Sequence, residues 1–145
     1  MDEELATVDR LAAIEDIKAL KARYFRFLDH KRWDDMGTLF TEDAFVDTGY
    51  GEPSTSGAAF VATLVRDVDP ARTVHHGHMP EIDVVSATEA HGIWAMFDYV
   101  ELPTEEERFA FFGYGHYEEE YRKGADGRWR IASMRLTRLR VDPLS

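Results

Sequence analysis

At 145 residues the chain has the length of one domain and can bury roughly 70% of its unfolded surface without covalent staples. It contains no cysteine, which excludes disulfides, thiolate zinc sites and cysteine nucleophiles. Its 28 acidic and 17 basic side chains give a formal charge of −11, a surface that repels phosphate backbones, so no nucleic-acid partner is expected.

The chain opens Met1-Asp2-Glu3-Glu4, acidic where a signal peptide would be basic. No apolar run approaches the ~18 residues of a membrane span, so a cytoplasmic protein without membrane contact is expected. There is no linker, repeat or low-complexity tract. Leu11, Ile14, Ile17, Leu20, Tyr24, Phe25 and Leu28 recur at intervals of three and four, which predicts a first amphipathic helix. Asp29 ends that stripe and could cap a second helix carrying Trp33, Met36, Leu39 and Phe40, stopping near Asp43. Ala44 to Asp47 reads as a short strand, ended by the turn cluster Thr48 to Ser56. Gly57 to Val68 reads as a third helix, closed by Pro70.

From there the period changes to two. Thr73 to Val85 is extended, and Ala90 to Leu102 sets Ile93, Ala95 and Phe97 against Trp94, Met96 and Asp98. Phe109 to Lys123 is a long strand whose Gly113 and Gly115 suggest bending or a bulge. Ala125-Asp126-Gly127 is a hairpin turn, and Trp129 to Val141 is the last strand. Helices first and strands after predict an α+β fold, with three helices packed on one side of a curled antiparallel sheet. Aromatic residues make up 12% of the chain, enough for a ring-rich core or for an aromatic-lined cavity.

Several polar residues stand where chemistry is possible. Tyr24 lies on the apolar stripe of the first helix, as a core aromatic or a hydroxyl facing a pocket. His75-His76-Gly77-His78 invites a metal reading, but strand parity sends His75 opposite to His76 and His78 and leaves Glu81 on the wrong face of a regular strand, so no metal is expected. Asp98 interrupts an apolar strand; it either reaches solvent or faces a cavity and orients a histidine. Glu118 to Glu120 read as mostly solvent-facing, and Glu105-Glu106-Glu107 as an exposed loop. No phosphate loop or nucleophile elbow is present.

The segment from Ile14 to Asp29, followed by Trp33, Leu39-Phe40, Asp43-Ala44 and the late Asp126-Gly127-Arg128-Trp129-Arg130-Ile131, resembles SnoaL-like proteins, in the scytalone-dehydratase-like branch of the NTF2-like superfamily. That resemblance implies a cone: a strongly curved sheet wrapped by helices around one apolar pocket. Within the family the chain is most similar to the bile-acid 7α-dehydratases, through Tyr24 to Asp29, His75 to Ile82, and Gly92-Ile93-Trp94 with Asp98. The likeness implies Tyr24, Asp29, His75 and Asp98 as catalytic residues. Trp94 and Met96, on the Asp98 face of the strand, are the expected substrate contacts. The segments after Thr48 and around Leu102 to Arg108 depart from those enzymes and are expected to shape the pocket.

The activity so implied is a dehydratase of a hydrophobic, ring-containing hydroxy-ketone, steroid-like or polyketide-like. His75 would act as base and then acid, oriented by Asp29 or Asp98, and Tyr24 would donate to an oxygen. No metal or organic cofactor is required. An isomerase with the same residues, a non-catalytic binder of an apolar small molecule and an interaction module are the alternatives. SnoaL-like proteins commonly pair through the outer sheet face, so a homodimer or homotrimer is expected.

Overall fold

A computed structural model of the chain describes residues 4–103 and 108–144. The expected Glu105-Glu106-Glu107 loop lies outside the described residues, as does the start of the acidic N-terminus. The elements run α1 (Thr7–Asp29), α2 (Trp33–Gly37), β1 (Phe40–Asp47), α3 (Gly57–Asp67), β2 (Arg72–Val84), β3 (Glu89–Pro103), β4 (Arg108–Lys123) and β5 (Trp129–Leu144). No helix among the described residues is long and apolar enough to cross a membrane.

The helix α1 is amphipathic because its buried residues recur every three or four positions: Ala13, Ile17, Leu20, Lys21, Tyr24, Phe25, Phe27 and Leu28. The stripe starts later than its sequence suggests, since Leu11 is exposed. One charged residue, Lys21, sits inside it. After α1 the chain reverses through Lys31, whose φ of 58° lies in the left-handed region. The second helix is shorter than expected. It ends at Gly37, a poor helix former, and Leu39 O accepts from Ile131 N at 2.8 Å, which starts β1 at Phe40. Pairing with a distant strand overrides the helical spacing of Leu39 and Phe40.

The five strands form one sheet in the order β1-β5-β4-β3-β2. The hairpin-connected strands β2 to β5 are antiparallel, and β1 joins the edge parallel to β5, which makes the sheet mixed. Its inner face carries Trp94, Met96, Tyr117, Tyr121, Trp129, Ile131 and Met134, all buried against α1. Gly77 on β2 faces the same way; a Cβ there would meet the Phe25 ring at 2.5 Å, so its absence lets α1 lie close on the sheet.

Register irregularities bend this sheet. The β2–β3 register slips between His78 and Glu81, where Met79 takes a φ of 40°. The β4–β5 register slips at Tyr114/Gly115 and again at Glu120/Tyr121. The first slip corrects the parity expected for Glu81: opposite Ile93, it shares the outer face with His76 and His78, opposite Phe97 and Ala95. The glutamate run also needs correction. Glu118 and Glu120 are exposed, but Glu119 is buried, because it alternates inward with Tyr117 and Tyr121.

Candidate active site

A cavity of about 470 Å³ opens between the C-terminal half of α1, α3 and one end of the concave sheet face. Its walls are apolar, with Leu28, Val46, Phe60, Leu64, Val100 and Phe111 among them. Its polar floor is formed by Tyr24, Thr73, His75, Asp98, Tyr117 and Arg138.

The floor is a row across the sheet. His75 on β2 pairs with Asp98 on β3, which pairs with Gly113 on β4, so these three share the inner face. Asp29, at the end of α1, stands behind His75. Its Oδ2 accepts from the His75 backbone N at 2.8 Å, and its Oδ1 lies 2.7 Å from His75 Nδ1 and accepts from Thr73 Oγ1 at 3.0 Å. An ionised carboxylate only accepts, so Nδ1 carries a proton, and in the neutral ring Nε2 keeps its lone pair. Asp29 is therefore the carboxylate that orients His75, and it caps no helix; Arg32 holds the cap position of α2 without a side-chain bond.

Asp98 is fully buried, and its two oxygens accept from Arg138 Nη1 and Nη2 at 2.9 and 2.7 Å. This two-bond fork supplies what a buried carboxylate requires. The Asp98 side chain in turn raises the Arg138 pKa above its ordinary value through that hydrogen bond. Asp98 Oδ2 lies 3.6 Å from His75 Nε2, too far for a hydrogen bond.

Arg138 reaches the floor by regular strand alternation on β5. Met134 and Leu136 lead inward by alternation to Arg138, and the extra residue Leu139 then resets the parity beyond it. Gly113 leaves the space that the fork fills. A Cβ at that position would lie 1.9 Å from Arg138 Nη1 and 2.1 Å from Asp98 Oδ1.

Tyr24 and Tyr117 are buried, with ring centroids 6.0 Å apart in an edge-on arrangement and hydroxyls within hydrogen-bonding range of each other. Burial pushes both phenols well above their ordinary pKa, so both are neutral donors near pH 7.

Tyr24, His75 and Asp98 thus meet at one floor with Asp29 behind them. Trp94 and Met96 share the Asp98 face of β3 but lie farther along it, under α1 and outside the cavity lining; Trp94 Nε1 donates to the Tyr121 hydroxyl at 2.9 Å. Arg138, Tyr117 and Thr73 escaped the sequence reading. The alternation Met134, Leu136, Arg138 was the available signal for the first, since an arginine on an inward-facing position calls for a buried acid. Among the described residues, no three His, Asp or Glu side chains converge as metal ligands would.

Residues 9–135 match the model of the SnoaL-like domain family. A candidate cyclase of Gibberella zeae is 26% identical over 93% of this chain and 95% of that protein. Among solved structures, a candidate scytalone dehydratase from Novosphingobium aromaticivorans DSM 12444 superposes with a TM-score of 0.86 at 23% identity, over 97% of this chain and 93% of the other. A hexachlorocyclohexane dehydrochlorinase, LinA-type3 from Novosphingobium barchaimii LL02, superposes with a TM-score of 0.84 at 20% identity, over 97% and 95%. At those identities the superpositions establish the NTF2-like cone, and the family match, spanning most of the length, establishes that this chain belongs to the SnoaL-like domain family.

Proposed function

We propose that the chain is a cofactor-independent lyase that removes water from a hydrophobic, ring-containing hydroxy-ketone. The observation that carries this reading is the Asp29–His75 pair, with its free Nε2 at the polar floor of an apolar cavity. The cavity volume lies within the range of small-molecule sites. A neutral phenol beside the base supplies the donor that an enolate requires. The names of the two superposed proteins, a dehydratase and a dehydrochlorinase, both describe eliminations, which supports the same class of chemistry.

In the proposed reaction His75 Nε2 takes a proton from the carbon next to the carbonyl. The electron pair moves to the carbonyl oxygen as an enolate, and Tyr24 donates a hydrogen bond to that oxygen. The enolate then collapses to a conjugated enone as the β carbon–oxygen bond breaks. The His75 imidazolium returns its proton to the departing hydroxide, which leaves as water. Asp29 holds the ring in one tautomer, and the Asp98–Arg138 fork stabilises the imidazolium without taking its proton.

The test incubates the protein with 4-hydroxy-4-phenylbutan-2-one, whose dehydration gives an absorbing enone. A product lighter by one water supports the lyase. A product of unchanged mass assigns the isomerase instead, and tight binding without turnover assigns a binding protein. For assembly we propose a homodimer or homotrimer. Support comes from the ring cluster on the outer sheet face, where Phe97 contacts Phe112 and Tyr114 at centroid distances of 5.5 and 5.6 Å.

A further inference from the structure

Lys21 projects from the buried side of α1 with no exposed side-chain surface. Its Nζ lies 2.7 Å from Glu119 Oε2 on β4, and the Glu119 side chain is equally buried. Fully buried ion pairs are often replaced by apolar residues at no loss of stability, so packing alone does not account for this one. Its surroundings are specific. The ammonium lies 3.9 Å from the ring centroid of Tyr24 and 3.7 Å from that of Tyr117, over both faces at once. The other oxygen of Glu119 accepts from the Tyr121 hydroxyl at 2.7 Å, and that hydroxyl accepts from Trp94 Nε1 at 2.9 Å. Trp94 and Tyr121 therefore fix the carboxylate, the carboxylate fixes the ammonium, and the ammonium seats the two phenol rings. Both rings line the cavity, and their hydroxyls lie within reach of each other at its floor.

We infer that Tyr117 is a second hydroxyl of the site, and that Lys21 is the positioning residue that holds Tyr117 and Tyr24 as a coupled donor for an anionic oxygen on a flat, ring-bearing ligand. The inference rests on the acid–base reading above. One hydroxyl donates to the other, whose own proton remains free for the ligand. Donors in series strengthen one another in a low-dielectric site. A cation on the ring face stabilises the negative charge that a phenol gathers as it donates, which strengthens the pair further. Trp94, counted from the sequence as a substrate contact, acts in this arrangement on the Lys21 ammonium through three hydrogen bonds, by way of Tyr121 and Glu119.

The probe is 2-naphthol, a flat aryl alcohol whose neutral and ionised forms fluoresce differently. The wild-type protein is expected to bind it in the cavity with an enlarged ionised fraction at fixed pH. Tyr117→Phe, which keeps the ring on the ammonium, should weaken binding by roughly tenfold or more, the scale of one lost hydrogen bond to a charged oxygen. Lys21→Met combined with Glu119→Gln removes both charges together and should weaken binding similarly while lowering the ionised fraction. All three changes in one protein should cost no more than the larger effect, as parts of one unit do.

A purely structural pair predicts altered melting temperature with unchanged affinity and ionised fraction, and that result overturns the inference. Failure of the wild-type protein to bind 2-naphthol also overturns it. If the charge-removing double variant does not fold, Tyr117→Phe decides alone. Hydroxy-ketone turnover by the same proteins separates the two proposals. Full turnover in the double variant sinks the coupled donor and leaves the lyase, whereas naphthol binding that depends on Lys21 without any wild-type turnover sinks the lyase and leaves the donor.

Discussion

Gly113 is the position where one missing carbon matters most. The Asp98–Arg138 fork occupies the volume that a Cβ would take, and backbone pairing fixes Gly113 directly opposite Asp98. Gly113→Ala must therefore displace the guanidinium, the carboxylate or both. The expected result is a protein that still folds but whose kcat falls by about 10²-fold, the scale of a misplacement near 1 Å at a reacting centre. Steady-state kinetics alongside circular dichroism measures it, and unchanged kcat would show that the fork has no part in turnover. At this scale the sequence was only partly legible. Tyr24, Asp29, His75 and Asp98 stood out together through the resemblance to SnoaL-like dehydratases; pattern alone read Tyr24 as a core aromatic or a pocket hydroxyl, Asp29 as a cap and Asp98 as an acid breaking an apolar strand. Arg138 did not, because its partner lies 40 positions away and nothing local to β5 announces a buried acid. Glu119 was hidden inside a glutamate run that composition reads as surface, although strict alternation with Tyr117 and Tyr121 sends it inward.

Between elements, the Lys21–Glu119 contact joins α1 to β4, and it has a consequence for stability. Removing Lys21 alone leaves a buried carboxylate without its cation, so Lys21→Met should destabilise the fold by about 3–5 kcal/mol, while the paired Lys21→Met/Glu119→Gln change should cost far less. Burial lowers the Lys21 pKa to about 8, against the opposing pull of Glu119. Above that pH the folded chain releases a proton that the unfolded chain retains up to the ordinary lysine value. The unfolded state then binds more protons, so this group adds stability as pH rises through that window. Melting temperatures from pH 7 to about 10 should therefore rise for the wild type relative to the paired variant. A constant difference would mean that Lys21 does not titrate there. Strand and helix identities were readable because the apolar period switches cleanly from 3.6 to 2 after Pro70. The α2–β1 boundary was not, since the Leu39 carbonyl bond to Ile131 is a contact between segments 92 residues apart. Nor was the slip at Met79, which a regular alternation cannot anticipate.

For the whole molecule, the order of helices before strands, with Gly113 and Gly115 inside a long strand, is enough to call for a curled sheet packed on its helices. The motifs at both ends of the chain agree with that cone. The parallel addition of β1 to the sheet edge was not visible, because pairing of the first strand with the last leaves no local pattern. The outer face, with Phe97, Phe112 and Tyr114 only partly covered, should bury itself in a homodimer or homotrimer, and light scattering at micromolar concentration should give that mass. A monomer would contradict the proposed assembly. The proposed reaction depends on one transfer, in which His75, held by Asp29, moves the proton at the floor of the cone. Its most direct test is the single-turnover rate of water loss from 4-hydroxy-4-phenylbutan-2-one, measured for wild type, His75→Ala, Asp29→Asn and Tyr24→Phe at a temperature where all four are folded. No turnover is expected for His75→Ala, a large loss for Asp29→Asn, and a fall of about 10²-fold or more for Tyr24→Phe. Wild-type rates in folded His75→Ala would contradict that transfer.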